Sequence, residues 1–419
     1  MIRHLLHLIW NQRKHNSWII AELLLVFIVL WFVTDTLFVV GKVYFSPLGM
    51  DTDHVYNLNY KAAEEEPVET GDSASVRRIL GQDVLTMVDR IRTYPGIEAV
   101  CITDNSRPFD GNARYFNLYM TDSISHLVRR MNVTPDFFRV FKVRKAEGEK
   151  RSWEEMLAGK KRIFSSDILT WMREKGGDKD TPLYSGWKLE PTSQIEWGGT
   201  TGPLRPSQFK RDAYWLFIPL TEDEISKIDY DALTVVFRVK PENDTPDFAD
   251  RFVEKMSTAL LLDKAYMMDV TPYRLQVESF EMLDGTQSEI QKHMVIMGFL
   301  LFNIFLGIIG TFWFRTEQRK GEMGLRIALG STRRNLRAIM MGEGLLMLTI
   351  VAIPAFLICL NIHLAELTYG TEWMNYTFLR FVIGFGITYL LMAIMILLGI
   401  GYPAAQTARL EPANALHYE

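Results

Sequence analysis

The sequence is poor in the residues that build disulfide frameworks and metal sites. Its 419 residues include two cysteines, Cys101 in a polar segment and Cys359 in an apolar one. Since the two lie in different environments, we expect neither a disulfide framework nor a cysteine-based metal site. The 8 histidines are scattered without the spacing of metal ligands, so we expect no metal site of any kind.

Motifs of common enzymes are also missing. The chain has no G-x-x-x-x-G-K-[ST] phosphate loop, no H-E-x-x-H and no G-x-S-x-G. We therefore expect no catalytic residue and no cofactor on this chain, and no ATP hydrolysis by the chain alone. A net charge of -4 gives no reason to expect nucleic-acid binding.

Long apolar runs are what the sequence does have. A helix needs about 20 apolar residues to cross the hydrocarbon core of a bilayer. Runs of this length predict four transmembrane helices, at about Trp18–Val40, Met294–Phe314, Ile339–Leu360 and Phe381–Ile400. The alternative is a set of buried core helices, but those are usually shorter and less uniformly apolar. A signal peptide is a second interpretation of the first run, but the run is too long and no A-x-A-like site follows it.

The placement of lysine and arginine predicts the orientation. Basic residues precede the first run and crowd the loop between the second and third runs, whereas the loop before Arg380 is nearly free of them. We expect a cytoplasmic helix at 1–17, a cytoplasmic loop at 315–338 and a cytoplasmic tail at 401–419. Residues 41–292 and 361–380 would then lie outside the cytoplasm. A disordered tail remains the alternative for 1–17.

The polar middle of the chain has the pattern of a folded α+β domain. Thr134-Pro135-Asp136 predicts a helix start with Thr134 as the cap. Residues 147–211 could form a second subdomain. Further helices are predicted over Asp83–Thr93 and from Phe248, and strands over Ala99–Thr103, Tyr115–Met120, Thr234–Val239 and Tyr273–Glu278.

Two segments carry a resemblance to a known family. The loop Gly321–Leu346 reads GEMGLRIALGSTRRNLRAIMMGEGLL, and the C-terminus Pro403–Glu419 reads PAAQTARLEPANALHYE. Both resemble hallmark segments of the MacB/FtsX family of ABC transporter permeases, with Thr407 where an alanine is usual. Val133–Gly148 is similar to a segment of the family's periplasmic core. The residues that match the loop motif are Glu322, Gly324, Leu325, Arg326, Ala328, Gly330, Ser331 and Glu343.

The resemblance implies a fold and a function. The implied fold is four transmembrane helices with a large MacB-like periplasmic core inserted between the first and second spans. The implied protein is a permease of the bacterial inner membrane that pairs with a second copy or a paralogue. A separate ATPase subunit would hold ATP and Mg and drive the motion. A periplasmic partner is also compatible with the family.

The motif residues from Glu322 to Ser331 are predicted to form the surface that contacts the ATPase. Glycines at both ends of a short basic helix allow close backbone approach to a partner. The alternative is that the arginines only follow the positive-inside rule and contact anionic lipid. Carboxylates within membrane spans are functional candidates by default, and here they are Glu22 and Glu343. Asn303, a further polar residue within a span, could hydrogen-bond a neighbouring helix. A structural role near a helix end is the alternative for the two glutamates.

Three functions therefore compete. The first is a transport permease that exports or extracts a substrate. The second is a signalling scaffold of the same build, which switches a cell-wall hydrolase or another outside partner. The third is a membrane-anchored enzyme or sensor without an ATPase, which the loop motif disfavours. A groove or apolar patch in the outside domain would suit a substrate, and a polar docking face would suit a partner.

Overall fold

The computed structural model describes most of the chain in two compact units. One unit joins Met1–Phe45 to Ser288–Glu419, and the other is Ser46–Gln287. The described residues are 13–63, 73–104, 107–111, 114–121, 124–168, 188–190, 193–194, 196–208, 213–229, 232–283, 285–318, 321, 325, 330–368 and 374–407.

Helices and strands alternate along the middle of the chain and long helices occupy its ends. The helices are α1 (Arg13–Tyr44), α2 (Ser73–Arg92), α3 (Phe137–Val140), α4 (Trp153–Leu157), α5 (Glu222–Ile225), α6 (Phe248–Met256), α7 (Tyr273–Leu283), α8 (Thr286–Gln318), α9 (Arg333–Leu364) and α10 (Phe378–Thr407). The strands are β1 (Val55–Ala62), β2 (Ile97–Asp104), β3 (Arg114–Thr121), β4 (Ile124–Val133), β5 (Arg162–Ser165), β6 (Lys188–Glu190), β7 (Ser193–Gln194), β8 (Trp197–Thr201), β9 (Trp215–Pro219), β10 (Leu233–Val239) and β11 (Ala265–Pro272).

Four helices of the described chain are long and apolar enough to cross a membrane. They are α1, α8, α9 and α10, over Ser17–Tyr44, Ile290–Phe314, Arg334–Leu364 and Phe378–Gly401. The predicted fold class is confirmed, because one such helix precedes a large α+β domain and three follow it. Of the predicted segment 1–17, residues 1–12 lie outside the described residues.

One mixed sheet organises the middle unit. Eight of its strands follow the order β11-β1-β10-β2-β4-β3-β6-β7, and β9 joins β4 to β5, which pairs with β8. The strands β5 and β8 come from the region 147–211, so the described part of that region is hydrogen-bonded into the same sheet. The first and last strands of the unit, β1 and β11, are antiparallel neighbours.

The two faces of this sheet are covered by different helices. Successive side chains of a strand point to opposite faces, and in β10 Val235 and Phe237 join one apolar core while Val236 joins the other. The first core is covered by α2 and α6, and the second by α3, α4 and Tyr273 at the start of α7. Strand β10 is therefore apolar on both faces because it lies between the two cores.

Helix α2 shows how the sequence sets one of these layers. Leu80, Val84, Met87, Val88 and Ile91 are all buried and lie three or four positions apart, which places them on one helical face. The helix ends before Pro95-Gly96, where Gly96 has φ +91. A side chain there would meet Asn243, so glycine is needed at this turn.

Two predictions about local structure were wrong. The expected final strand Tyr273–Glu278 is the start of helix α7, and the last strand is β11. Tyr273, Val277 and Phe280 lie on one helical face against the second core, whereas the alternation of Tyr273, Leu275 and Val277 favours a strand. Thr134 does not cap α3: its hydroxyl accepts from the backbone N–H of Ile102 at 3.0 Å and ties the turn to β2.

The chain returns towards the long helices through a short break. Helix α7 ends at Leu283 and α8 begins at Thr286, with Gly285 between them at φ +70. Helices often end at a residue with a left-handed backbone conformation, which glycine adopts without steric strain. The helix that contains the second span, α8, therefore begins just after this break.

Candidate functional site

The four long helices pack around an apolar core. Phe27 of α1 lies 4.9 Å from Phe385 of α10 between ring centroids, and Trp31 of α1 lies 6.0 Å from Phe381. All four helices contribute side chains to this core. The ring contacts place one face of α1 against α10 over about one turn.

A fully buried ion pair joins the same two helices. The carboxylate of Asp35 in α1 accepts from Nε of Arg380 at 2.9 Å and from Nη2 at 2.5 Å. Both side chains have 0% exposure. A bidentate pair of this kind fixes orientation as well as distance. Removing one partner would leave a charge without compensation in an apolar environment.

Arg380 also orders the connection between α9 and α10. Its Nη1 donates to the carbonyl of Met374 at 3.1 Å, and its Nη2 donates to Oγ1 of Thr368 at 3.2 Å. The guanidinium lies over the ring of Tyr376, 4.5 Å from the centroid. The Tyr376 hydroxyl in turn donates to the carbonyl of Glu366. Arg380 of α10 thus contacts both α1 and the loop that connects α9 to α10.

A second polar contact joins α1 to α10. The hydroxyls of Thr34 and Thr388 lie 2.6 Å apart and both side chains are buried. Thr388 also lies within hydrogen-bond distance of the carbonyl of Gly384, one turn earlier in its own helix. Such neutral contacts between spans contribute less than an ion pair but add to its geometric constraint.

The three predicted intramembrane polar residues have different surroundings. Glu22 in α1 accepts a hydrogen bond from Thr311 of α8 at 2.8 Å. Glu343 in α9 is buried, with 3% exposure. Asn303 is exposed and donates to the carbonyl of Phe299 in its own helix at 2.8 Å. The described structure thus joins Glu22 to a neighbouring helix, whereas Asn303 bonds within α8.

The predicted ATPase-contacting segment is described in part. Leu325 is helical and 53% exposed, and Gly330 lies in a turn at φ +94, a conformation that favours glycine. After Ser331, Thr332 caps α9 by accepting from the backbone N–H of Asn335 at 3.3 Å. The remaining predicted residues, Glu322, Gly324, Arg326 and Ala328, lie outside the described residues.

Two surface clefts on the described part of the outside domain have a volume that suits a ligand. One, of about 450 Å³, lies between α2 and the turn before α3, with apolar residues such as Val88 and Ile225 below a charged rim. A salt bridge of 2.8 Å from Arg92 to Asp136 joins its two sides. This volume falls within the range of ligand pockets, about 300–1,000 Å³.

The second cleft, of about 460 Å³, holds a cluster of titratable groups. Nδ1 of His54 lies 2.6 Å from Oδ2 of Asp244, and the Tyr56 hydroxyl donates to Oδ1 of the same carboxylate. Burial, together with the hydrogen bond to Asp244, raises the pKa of Tyr56. His54 has φ 60, and its carbonyl accepts from the N–H of Val239. Among the described residues, no three His, Cys, Asp or Glu side chains are grouped to hold a metal.

Sequence reasoning missed the role of Arg380. Asp35 and Arg380 are opposite charges at the edges of two apolar runs, and the charge rule places both near the same membrane surface. Intramembrane charges usually pair with one another. This combination was the available signal for the buried pair.

Comparison with known proteins identifies the C-terminal part of the chain. Residues 294–412 match the family model of the FtsX-like permease C-terminal domain. No curated protein matches the chain. The matched residues include most of α8, all of α9 and α10, and the predicted contact segment between α8 and α9.

Solved structures with similarity to the chain include domains of the following three proteins. A domain described as part of a permease protein from Porphyromonas gingivalis is 15% identical, over 53% of this chain and 90% of that chain, with a TM-score of 0.34. The extracellular domain of the noncanonic ABC-type transporter YknZ from Gram-positive bacteria is 14% identical over 51% and 99%, with a TM-score of 0.30. The periplasmic region of MacB from Actinobacillus actinomycetemcomitans is 10% identical over 54% and 94%, with a TM-score of 0.31.

Proposed function

Since residues 294–412 form an FtsX-like permease C-terminal domain, we propose that this chain is the permease subunit of an ABC transport system. The family match is the observation that carries this proposal. The chain is a multi-pass membrane protein whose four spans bracket one large domain. It would relay the motion of a separate ATPase to that domain, and so export or extract a substrate.

The absence of a phosphate loop from the full sequence supports a separate ATPase subunit. ATP and Mg would bind to that subunit and not to this chain. We further propose that the chain works as a pair, with a second copy or a paralogous permease. Each permease would then contact one ATPase subunit.

The proposed contact with the ATPase is the segment Glu322–Ser331. Leu325 is an exposed apolar side chain on a helical turn, which suits a residue that a partner covers. Gly330 adopts a left-handed turn near the end of this segment, just before α9. Basic residues around both would hold the segment on the cytoplasmic side of a bacterial inner membrane.

The proposed orientation places both termini in the cytoplasm and residues 41–292 outside it. Its support is the arginine-rich loop 315–338 and the scarcity of basic residues in the loop 361–380 before Arg380. Short loops such as these follow the charge rule well.

Purification of the complex tests the proposal. The chain would be co-expressed with candidate ABC ATPase subunits from its source genome and isolated in detergent. We expect the ATPase to co-purify and the complex to hydrolyse ATP, whereas the chain alone should not. Hydrolysis by a preparation shown to lack any ATPase subunit would contradict the division of labour. The absence of any bound ATPase would contradict the permease assignment.

A further inference from the structure

We propose that the four helices transmit motion through two unequal arms, with α1 as a fixed arm and α8 as a moving arm. Both connect directly to the outside domain in the chain, since α1 precedes Ser46 and α8 follows α7. The Asp35–Arg380 pair is the clamp that makes α1 the fixed arm. This inference rests on the proposed function, because only a driven permease has a motion to relay.

The clamp on α1 is strong because its charges are out of water. The two hydrogen bonds between Asp35 and Arg380 are 2.9 and 2.5 Å long, and neither side chain is exposed. Sliding α1 along α10 would separate opposite charges in a medium of low dielectric constant, where attraction is strongest. The Thr34–Thr388 contact lies beside the pair and resists the same movement.

Arg380, the α10 residue of the clamp, is held in place by further contacts. Arg380 donates to the Met374 carbonyl and to the Thr368 hydroxyl, and it lies over the Tyr376 ring. These contacts belong to the connection between α9 and α10. As a result α1, α9 and α10 are joined at one point. We therefore expect α1 to keep its position relative to α9 and α10, and this is the sense in which it is the fixed arm.

Helix α8 is held much less firmly. In the most apolar stretch of α8, 17% of the residues are buried within the chain, compared with 56% in the most apolar stretch of α1. Its described polar contact with α1 is the hydrogen bond from Thr311 to Glu22, which is not an ion pair. Its contact with α10 is apolar, with Phe312 packed beside Gly399. Apolar surfaces in a bilayer can slide with little loss of energy, since lipid replaces the partner.

Two engineered disulfides test the arms separately. The Thr34→Cys/Thr388→Cys pair would lock α1 to α10, where the native hydroxyls are 2.6 Å apart. The Phe312→Cys/Gly399→Cys pair would lock α8 to α10, since a Cβ at Gly399 would lie 3.4 Å from the Phe312 Cβ. That separation is close to the Cβ–Cβ range of disulfides, about 3.5–4.5 Å. Both pairs are placed in a Cys101→Ala/Cys359→Ala background.

The readout is ATP hydrolysis by the permease–ATPase complex in lipid vesicles, before and after reduction with dithiothreitol. We expect the oxidised Thr34→Cys/Thr388→Cys complex to stay within about twofold of its reduced form, because the clamp already exists. The oxidised Phe312→Cys/Gly399→Cys complex should lose about tenfold or more and recover on reduction, because the moving arm is locked.

A rescue experiment separates a clamp from a merely structural pair. Asp35→Asn should lower hydrolysis by the complex, and oxidation of Thr34→Cys/Thr388→Cys in the same chain should restore it, because the disulfide replaces the clamp. If the α1 lock inhibits, or the α8 lock does not, the unequal arms are wrong. Failure of the α8 pair to oxidise would overturn the contact with Gly399, and failure of the rescue would overturn the role of Asp35.

These results are distinguishable from failure of the proposed function. The reduced forms of both complexes must hydrolyse ATP if the chain is an ABC permease. If the reduced complexes are inactive and the cysteine-free chain also does not bind an ATPase, the proposed function is wrong. If the reduced complexes are active and the two locks behave alike, the arms are wrong and the function stands.

Discussion

Asp35 and Arg380 are 345 positions apart in the chain and form a bidentate ion pair with no exposed surface. Neutralising one partner with Asp35→Asn should leave Arg380 charged and uncompensated. We expect a loss of about 3–5 kcal/mol in the free energy of unfolding, as for other broken buried pairs. The measurement is unfolding of the detergent-solubilised chain.

The double substitution Asp35→Leu/Arg380→Met tests whether the loss comes from the orphaned charge. Replacing both partners by apolar residues removes the uncompensated charge, so the double variant should be more stable than Asp35→Asn. The matching single variants are Asp35→Leu and Arg380→Met. If the double variant loses as much free energy of unfolding as these two single variants together, the two residues act independently and the pair is not coupled.

The proposed ATPase contact predicts a loss of binding in Arg326→Glu. Reversing a charge within a partly buried contact costs about 2–5 kcal/mol. Since about 1.4 kcal/mol is a factor of ten, co-purification with the ATPase should fall by well over tenfold. Leu325→Asp should act in the same way, because Leu325 is an exposed apolar side chain.

The matched control for these variants is Glu64→Lys, a charge reversal in the outside domain. It should co-purify with the ATPase at the wild-type ratio. Retention of the ATPase and of hydrolysis by both Arg326→Glu and Leu325→Asp would mean that the segment is only a basic, lipid-facing one.

The proposed orientation predicts a labelling pattern. Ser17→Cys and Ser257→Cys would be treated in whole cells with a thiol reagent that does not cross the inner membrane. Ser257 is exposed on the outside domain, so its cysteine should react, while the one at Ser17 should react only after the membrane is opened. The native cysteines are both buried and give little background. Labelling at Ser17→Cys and not at Ser257→Cys would reverse the topology.

Cys101 should resist modification while the outside domain is folded. Burial raises the pKa of its thiol, and the nearby carboxylate of Asp136 raises it further. A raised pKa lowers the thiolate fraction at every pH below it, and only the thiolate reacts. We expect maleimide to modify Cys101 about 100-fold more slowly than an exposed cysteine such as Ser257→Cys. Equal rates in the native protein would show that the sheet around Cys101 opens readily.

Asp244 should stabilise the start of β1. It accepts hydrogen bonds from His54 and Tyr56, so Asp244→Ala leaves two donors without their acceptor. Stranding a buried donor costs about 1–3 kcal/mol in the free energy of unfolding. Asp53→Ala, a neighbouring exposed carboxylate, is the control and should have little effect. Equal stability of the two variants would assign no role to this cluster.

The parts of the fold that could be predicted are those determined by one strong local feature of the sequence. The run Phe381–Ile400 has 20 residues and no charge, and hardly any other structure accommodates it. Tyr273, Leu275 and Val277 misled because alternation over five positions fits a strand, while Tyr273, Val277 and Phe280 fit a helix. The structure packs the helical set against the second core, with Tyr273 fully buried, and exposes Leu275. Short segments rarely contain enough positions to separate the two periods.

The site was predictable only in part, for a different reason. Glu22, Asn303 and Glu343 are each conspicuous within an apolar run, but sequence position does not tell which helix faces each of them. The partner of Asp35 lies in another run, and only the packing of α1 on α10 brings Arg380 to it. Pairing between distant spans is a property of tertiary packing, which local patterns do not contain.

The pairing of β1 with β11 has a consequence for how such a protein could arise and be rebuilt. Tyr56 and Pro272 face each other across neighbouring strands, so the polypeptide enters and leaves the sheet at points about 5 Å apart in the ladder direction. A segment with adjacent ends can be excised, exchanged or closed on itself without disturbing what it is inserted into. A domain whose sheet begins and ends on neighbouring strands could therefore be exchanged for another, and a permease could acquire a new extracytoplasmic task in this way.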